Sequence, residues 1–544
     1  MPTVTIDGRS IEVEKGTTIL EAAKQIGIDI PHYCYHPGLR IAGSCRMCLV
    51  EIEGVPKLQI ACYTPVTDGM VVHTQSEKVK EARRAVLEFL LVDHPLDCPV
   101  CDQAGECYLQ IYYMQHGLHP SRVREDKLKR AKMKVLSEHI ILDQERCILC
   151  SRCVRFTEEV TKSYELGIFH RGDRSVVDLY PGIQLHNRYQ GNLADICPVG
   201  ALTDRQFRFR TRVWYLEHAK SVCPGCSRGC NVFVDYNVRR GYKAGGRRIV
   251  RLRPRPNPWV NKYWMCDDGR YGFTWIEALD RILAPRRAEG GQLREISWSE
   301  AIRHAAQWIT EAAREKRLAV LLSPKMTNEE LYTADRLFRS LGARMIGYWA
   351  EPSSPGYEDE ILIRGDKNPN TAGAHWIVGR ASGIPQEDHL ARLAEAMEAG
   401  QVDTAVIFLH DVEGAKAGER VLRALQRVER LIYLGTNWNR TATLSKLVFP
   451  ATAFVEQDGT FTNFEGRVQR FWRAVEPLGQ ARPILSILRE LAVACSVEPL
   501  PEDPEEVFAL LALEHPFFSG MDYDRLGERG MRGQLEAPVE VRVK

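Results

Sequence analysis

The chain has 544 residues, of which 44% are hydrophobic and 26% are charged. This composition is typical of a globular protein with several cores, and it excludes a disordered or fibrous chain. The formal net charge is only +2, so charge does not indicate a nucleic acid or an anionic membrane surface as a partner. Because we find neither a recognisable leader nor an apolar run of about eighteen residues, we expect a soluble cytoplasmic protein of a prokaryote.

The first 16 residues are expected to form a β-hairpin, because apolar and polar residues alternate on both sides of a turn at Asp7-Gly8. A capping box at Thr18 and Glu21 then predicts the start of a helix. Two strands, a helix and a cysteine-rich loop follow one another in the order of a plant-type ferredoxin.

The middle and the end of the chain show different patterns. Apolar residues recur with the period of a helix over residues 77–94, which end at His94. The charged residues 124–134 are expected to form a solvated connector. From about residue 295, helical patterns alternate with short apolar runs, which predicts a parallel α/β layer. The sequence contains no nucleotide-binding fingerprint. The acidic, proline-containing segment near residue 501 is expected to end the compact part.

Fifteen of the sixteen cysteines lie between residues 34 and 266, in four separate sets. In a reducing compartment, clustered thiols at short spacings are more often metal ligands than disulfides. The spacings suit iron–sulfur clusters, which are held mainly by cysteine thiolates. We therefore expect an electron carrier. Cys495, which lies outside the four sets, is expected to be a core thiol.

The first set comprises Cys34, Cys45, Cys48 and Cys62. Cys34 precedes the close pair by ten intervening residues, and Cys62 follows it after thirteen. Gly43, just before the pair, lets the backbone approach a cluster. This arrangement predicts a 2Fe-2S centre, although the first gap is longer than in plant-type ferredoxins. A zinc site is the alternative.

The second set comprises His94, Cys98, Cys101 and Cys107, and it is unusual because an imidazole replaces one thiolate. A neutral ligand makes a cluster less negative, which should raise its reduction potential, as histidine does in Rieske centres. One alternative is a zinc site with three cysteines and one histidine. The other is a histidine that lies on the surface, or that contacts a ligand without binding the metal.

The third set comprises Cys147, Cys150, Cys153 and Cys197. The first three have the spacing of a bacterial ferredoxin, and the fourth ligand comes from a Cys-Pro element after forty-three intervening residues. One Cys-Pro element paired with one such run predicts a single 4Fe-4S centre.

The fourth set comprises Cys223, Cys226, Cys230 and Cys266. It is able to hold a further 4Fe-4S centre, and structural zinc is the alternative. The strongly basic residues 239–255 lie within it. Most such runs are solvated surfaces, but this one could also face an acidic subunit or surround an anionic cluster.

In this order, the four sets resemble those of the large iron–sulfur subunit of respiratory complex I, which is called the G subunit in bacterial NADH-quinone oxidoreductase. The resemblance implies one 2Fe-2S centre on the first set and three 4Fe-4S centres on the others, of which the fourth stands off the main electron path. It implies a relay without a substrate-converting site of its own, placed between a flavin- and NADH-binding subunit and the quinone-proximal iron–sulfur subunits. It also implies a peripheral position on the cytoplasmic face of the cell membrane, without membrane insertion.

The resemblance extends past residue 220 to the molybdopterin oxidoreductases, through NPWVNKYWMCDDGRYG and LVFPATAFVEQDGTFTNFEGRVQRFWRA. It implies a multidomain α+β and α/β fold. The expected domains are a β-grasp 2Fe-2S ferredoxin-type domain at 1–78, a helical 4Fe-4S module with one histidine and three cysteine ligands at 79–118, a 4Fe-4S ferredoxin-like domain at 119–215, a 4Fe-4S molybdopterin-oxidoreductase-type domain at 216–272, a degenerate molybdopterin-oxidoreductase-like α/β domain at 273–500 and a tail at 501–544.

Two departures from the molybdopterin oxidoreductases argue against a molybdenum site. Asp268 stands where formate dehydrogenases of that superfamily have a lysine, and no cysteine lies between Cys266 and Cys495 to ligate molybdenum. The α/β region is also about half as long as such a catalytic domain needs. We therefore expect a scaffold without molybdopterin. The alternative function is the catalytic iron–sulfur and pterin subunit of an NAD-linked, formate dehydrogenase-like complex, and an iron-only hydrogenase is disfavoured because its later cysteines are absent.

Overall fold

The computed structural model describes residues 1–117, 120–351, 356–379, 386–414 and 418–534. The chain divides into two compact units. The first unit comprises Met1–Leu216 with Tyr242–Gly245, and the second comprises Glu217–Gly241 with Gly246–Lys544. Across the described ranges, no helix is both long enough and apolar enough to span a membrane.

The first unit begins with the predicted hairpin. β1 (Thr3–Ile6) pairs antiparallel with β2 (Arg9–Glu12), and Asp7 and Gly8 make the turn with φ angles of 46° and 82°. The strands that complete this sheet are β3 (Leu49–Ile52), β4 (Gln59–Ile60) and β5 (Met70–His73). The strand order is β2-β1-β5-β3-β4, and only the β1–β5 pair is parallel.

Two helices of this unit follow their predicted patterns. α1 (Ile19–Gln25) begins after Thr18, whose hydroxyl accepts a hydrogen bond from the backbone N–H of Glu21 at 3.4 Å. α2 (Glu77–Leu91) packs on β3 and leads toward the second ligand set. Its buried residues recur every four positions, which places them on one face of the helix.

The rest of the first unit consists of short elements. The helices are α3 (Tyr108–Tyr112), α4 (Arg152–Glu159) and α5 (Asn192–Ile196), and the strands are β6 (Lys134–Val135), β7 (Ile140–Leu142), β8 (Leu166–Phe169), β9 (Val176–Leu179) and β10 (Leu202–Asp204). The charged stretch before β6 has no regular structure, as expected for a connector. It is not fully solvated, because Lys132 Nζ lies 2.7 Å from a carboxylate oxygen of the buried Glu145.

The second unit opens with an antiparallel sheet and a short helix that carry the fourth ligand set. These elements are β11 (Glu217–Val222), β12 (Asn231–Tyr236), β13 (Ile249–Pro254) and α6 (Asp267–Tyr271). A second small sheet is formed later in the chain by β21 (Gly459–Thr462), β22 (Arg467–Phe471) and β23 (Met531–Arg532).

A seven-stranded sheet forms the centre of this unit. Its strands are β14 (Arg286–Glu289), β15 (Gln292–Glu295), β16 (Leu318–Leu322), β17 (Met345–Tyr348), β18 (Thr404–Phe408), β19 (Arg430–Gly435) and β20 (Leu447–Pro450). The accompanying helices are α7 (Trp298–Arg314), α8 (Asn328–Ser340), α9 (Thr371–Ala374), α10 (Gln386–Glu398), α11 (Gly418–Leu425), α12 (Arg440–Leu444), α13 (Ile484–Ala494), α14 (Pro504–Glu514) and α15 (Tyr523–Leu526).

The strand order β15-β14-β20-β19-β18-β16-β17 confirms the predicted α/β layer. The five strands from β20 to β17 are parallel, and β14 and β15 add an antiparallel hairpin at one edge. The sheet is buried on both faces. In β16, for example, Leu318, Val320 and Leu322 enter one core, whereas Ala319 and Leu321 enter the other.

The compact part does not end near residue 501, and that expectation is wrong. Asp503 caps α14, and the helix buries Val507, Phe508 and Leu511 in the larger core of the unit. The acidic, proline-containing segment marks the start of a helix, where proline and acidic residues are favourable, and not the end of the fold. The other expected domain boundaries remain predictions.

We predict that Phe508→Ala lowers the free energy of unfolding of the second unit by about 3 kcal/mol or more, because it empties a fully buried aromatic site. Leu513→Ala is the matched control on the same helix, since Leu513 is 83% exposed. Chemical denaturation followed by tryptophan fluorescence measures both variants. Equal stability of Phe508→Ala and the unchanged protein would show that α14 is not part of the core.

Candidate metal centres

The first ligand set is held in the loop between α1 and β3 and at the end of β4. The backbone N–H groups of Tyr33 and Cys34 donate to Cys45 Sγ at 3.5 and 3.4 Å. Hydrogen bonds with the Cys45 and Cys62 thiols lower the pKa of Cys34, and a hydrogen bond with the Cys62 thiol lowers the pKa of Cys48. The four thiols are therefore neighbours in one pocket.

This loop needs an unusual backbone to bring its thiols together. Gly43 and Arg46, on either side of Cys45, have φ angles of 61° and 59°. Glycine adopts this left-handed conformation without steric cost, which explains its use before the close pair. Cys34, Cys48 and Cys62 are buried.

The second set follows α2. Burial lowers the pKa of His94 to about 4, so its imidazole is neutral at pH 7, the form that binds metals. His94 Nδ1 is buried and has no hydrogen-bond partner within the described ranges. Burial raises the pKa of Cys107, the residue that precedes α3, to about 11. A metal ligated by this set would satisfy the orphan nitrogen and the buried thiol together.

The third set surrounds one small cavity. Cys147, Cys150, Cys153 and Cys197 all line it. Burial raises the pKa of Cys147 to about 12 and that of Cys150 to about 11. Residues 149 and 151, within the ligand run, have φ angles of 53° and 62°, so the chain folds tightly around the cavity.

The fourth set surrounds a similar small cavity in the second unit. Cys223, Cys226, Cys230 and Cys266 all line it. Cys266 caps α6, and its Sγ accepts a hydrogen bond from the backbone N–H of Gly269 at 3.4 Å. Burial raises the pKa of Cys223 to about 12. Within the described ranges, no three His, Cys, Asp or Glu side chains are close enough to hold a single metal ion.

A larger cavity of about 410 Å³ lies next to the fourth set in the second unit, and Cys223 lines both cavities. Its lining includes aromatic side chains such as Trp275 and Trp438. Such a volume is within the range of small-molecule sites. Its charged lining residues are Asp268, Asp280, Asp411, Glu330 and Lys325.

Contacts between ligand sets place the third set beside both of the others in the first unit. Arg155, on α4, donates to the backbone carbonyl oxygen of Cys34 at 2.5 Å, and α4 itself contains Cys153. The third set also contacts the second set. The backbone N–H of Tyr108, which follows Cys107, donates to the carbonyl oxygen of Pro198, which follows Cys197, at 2.9 Å. A Cβ atom on Gly200 would lie only 2.3 Å from Cys101 Sγ. The third set is therefore linked to both the first and the second set.

Several residues of these centres were not found by sequence reasoning. Gly200 is one, and Arg146 is another, because its guanidinium binds Asp97 of the second set's loop at 2.7 Å. No local signal identifies them, since their partners are distant in the chain. Arg152 did carry a signal, because it stands inside the ligand run directly before Cys153, and Arg155 follows that run by two residues.

Comparisons with known proteins match the regions that contain the first three sets to iron–sulfur families. Residues 1–77 match the family described as 2Fe-2S iron-sulfur cluster binding domain, and residues 83–122 match the NADH-ubiquinone oxidoreductase-G iron-sulfur binding region. Residues 137–203 match the ferredoxin-like domain of NADH-quinone oxidoreductase subunit 3, and residues 380–494 match the family Molybdopterin oxidoreductase. The fold and the matched domains define an iron–sulfur protein of the electron-transfer class.

Whole-chain relatives identify the family. The G subunit of NADH-quinone oxidoreductase from Rickettsia conorii is 30% identical over 95% of this chain and 91% of the relative. The corresponding G subunit from Streptomyces coelicolor is 42% identical over 62% of this chain and 39% of the relative. A chain of a solved NAD+-reducing [NiFe]-hydrogenase is 34% identical, with a TM-score of 0.36, over 39% of this chain and 91% of that chain. The chain belongs to the family of NADH-quinone oxidoreductase G subunits, and it is an iron–sulfur electron-transfer component of an oxidoreductase complex.

We predict that Gly200→Ala disrupts the centre on the second set, because the added methyl group would overlap Cys101 Sγ. Gly225→Ala is the matched control beside another ligand sulfur, since its Cβ would lie 3.5 Å from Cys223 Sγ, at ordinary contact distance. EPR of the reduced variants should show loss or broadening of one signal for Gly200→Ala and an unchanged spectrum for Gly225→Ala. Identical spectra for both variants would contradict the close packing of Gly200 on Cys101.

Proposed function

We propose that this subunit carries electrons from a flavin- and NADH-binding subunit toward the quinone-reducing subunits of complex I. The observation that supports this most strongly is the chain of contacts linking three buried ligand sets within one unit. A relay needs centres at fixed separations with little solvent between them, and the backbone contacts through Cys34 and Pro198 supply such fixed links.

Each ligand set has a proposed occupant. Cys34, Cys45, Cys48 and Cys62 would hold a 2Fe-2S cluster. The other three sets would each hold a 4Fe-4S cluster, with His94 as the one nitrogen ligand. The clusters would supply one-electron redox chemistry. The protein provides the buried pockets, the neutral imidazole and the tight loops described above.

The contacts of the third set with both others support a route that differs from the order of the sets in the sequence. An electron would pass from the first set to the third and then to the second. The fourth set lies in the other unit, and we propose that its cluster stands off this route. The order of the sets along the sequence does not predict this route. Pro198 and Gly200, next to Cys197, contact second-set residues that lie about a hundred positions earlier in the chain.

The surroundings of the second set suit a partner subunit. Leu96 and Val100, which lie between its ligands, are 73% and 61% exposed. Exposed apolar residues beside a redox centre are typical of a docking surface. We propose that a quinone-proximal iron–sulfur subunit docks here, and that the assembled complex holds this chain peripherally on the cytoplasmic face of the membrane.

The cavity beside Cys223 is proposed not to bind molybdopterin. Asp268, Asp280 and Asp411 line it together with Lys325, and Lys325 is itself paired with Glu351 at 2.7 Å. An anionic, phosphate-bearing pterin would meet repulsion from these carboxylates. The match to the family Molybdopterin oxidoreductase nevertheless makes a formate dehydrogenase-like subunit the second candidate.

We predict that the reconstituted full chain contains iron and sulfide, lacks stoichiometric molybdenum, and shows one 2Fe-2S and three 4Fe-4S signals. Elemental analysis and EPR during a redox titration measure this. Stoichiometric molybdenum together with formate oxidation would favour the second candidate. A colourless protein that binds zinc would contradict both functions.

We predict that His94→Cys keeps a 4Fe-4S centre but lowers its midpoint potential, because a thiolate adds negative charge to the cluster. His94→Ala should weaken or lose that centre. The control is His139→Ala, since His139 lies outside every ligand set and should leave all signals unchanged. If both His94 variants keep the original spectrum and potential, His94 is not a ligand.

A further inference from the structure

Two buried arginines on α4 bind the ligand loops of two different sets. Arg155 Nη2 donates to the carbonyl oxygen of Cys34 at 2.5 Å and to that of Cys150 at 3.4 Å. A single nitrogen thus joins a first-set ligand to a third-set ligand. Arg155 Nη1 also donates to the carbonyl oxygen of Arg40, which lies in the same loop as Cys34.

Arg152 makes a parallel bridge. Its Nη1 donates to the carbonyl oxygen of Ile196 at 3.0 Å, directly before Cys197. Its Nη2 donates to the carbonyl oxygen of Tyr35, directly after Cys34. The two side chains are 4% and 9% exposed. Together they fasten the first-set loop to two peptides of the third set, at Cys150 and at Ile196.

Among the residues that the structure describes, no acid neutralises the charges of these two arginines. There, the guanidinium groups donate only to backbone carbonyl oxygens and to Ser151 Oγ. Within the described ranges, neither group forms an ion pair with a carboxylate, and Arg152 Nε has no partner at all. A buried cation without a counter-charge is strongly unfavourable.

Anionic clusters on both sides would provide the missing counter-charge. A four-thiolate 2Fe-2S or 4Fe-4S centre carries a net negative charge in both redox states, and reduction adds one more. Two cations between two such centres stabilise the reduced form of each more than the oxidised form, because the attraction grows with the charge. The effect is stronger in a buried site than in water.

We propose that Arg152 and Arg155 are positioning residues that fix the separation of the first and third centres and raise the reduction potentials of both. This inference rests on the proposed function, since it requires clusters in both sets. The arginines touch no ligand sulfur through the hydrogen bonds described. They act through the ligand backbone and through charge.

The test uses the full chain with Arg155→Met, Arg155→Lys and Arg152→Met. Arg40→Met is the matched control, because Arg40 joins the same loop to α4 through Glu158 and Glu159 but is solvent-exposed. EPR-monitored redox titration gives the potential of each centre. Enhanced spin relaxation between the first and third centres reports their separation.

Each methionine variant should lower the reduction equilibrium constant of the first and third centres by about tenfold, which is about 59 mV for one electron. The potential of the fourth centre should not change. Arg155→Lys should keep most of the potential, because it keeps the charge, but it should alter the spin coupling, because an ammonium cannot reproduce the planar fork. Arg40→Met should leave both measurements unchanged.

Unchanged potentials in both methionine variants, or an equal shift in Arg40→Met, would overturn the inference. If a methionine variant fails to assemble a centre, Arg155→Lys decides. If Arg155→Lys lowers the potential by as much as losing the whole charge should, the inference is overturned. If that variant keeps the potential but alters the spin coupling, the inference is supported. The absence of cluster signals in the unchanged chain would instead refute the proposed function.

Discussion

The burial of cysteine thiols is the constraint on which the candidate centres depend. In the second, third and fourth sets, burial raises thiol pKa values, to about 11 or 12 for Cys107, Cys147 and Cys223. A thiolate in such a place is stable only if a positive charge compensates it. Ferric and ferrous ions would supply that charge, so ligand deprotonation and cluster assembly would be one event. The cavities of the third and fourth sets are small, as expected for sites that a cluster would fill.

The first unit shows how one element can serve two centres. The segment Cys197-Pro198-Val199-Gly200 contains the fourth predicted ligand of the third set and packs on the second set through Pro198 and Gly200. α4 does the same toward the first set, through its arginines. Because the same short segments form the pockets and join them, the spacing between the sets is fixed by hydrogen bonds to the backbone of the ligand loops, including those donated by the side chains of Arg152 and Arg155.

The sequence predicts the local features well, and the long-range ones poorly. The hairpin around Asp7-Gly8, the start of α1 at Thr18 and the parallel layer follow from turn chemistry, capping and periodicity, which act over a few residues. The acidic segment at residue 501 is ambiguous by the same criteria, since its residues suit both a helix start and a tail, and only the packing of Phe508 decides between them.

For the candidate site, the sequence predicts the residues of each set but not the arrangement of the sets. Ligand spacings along the chain indicate which thiols belong together, because a cluster requires several ligands from one loop. Spacings contain no information on the order of the sets in space. That order depends on contacts such as Gly200 with Cys101, which join residues about a hundred positions apart and which nothing in the local sequence marks.

The late position of α14 and α15 has a consequence for biosynthesis. The core of the second unit includes Phe508, Tyr523 and Leu526, so that unit cannot complete its folding until nearly the whole described chain has left the ribosome. The first unit is formed almost entirely by the first 216 residues. At roughly 5 to 20 residues per second, translation of the remainder takes on the order of 15 to 60 s. In the proposed relay, iron and sulfide would therefore enter the first three pockets before the second unit completes its folding.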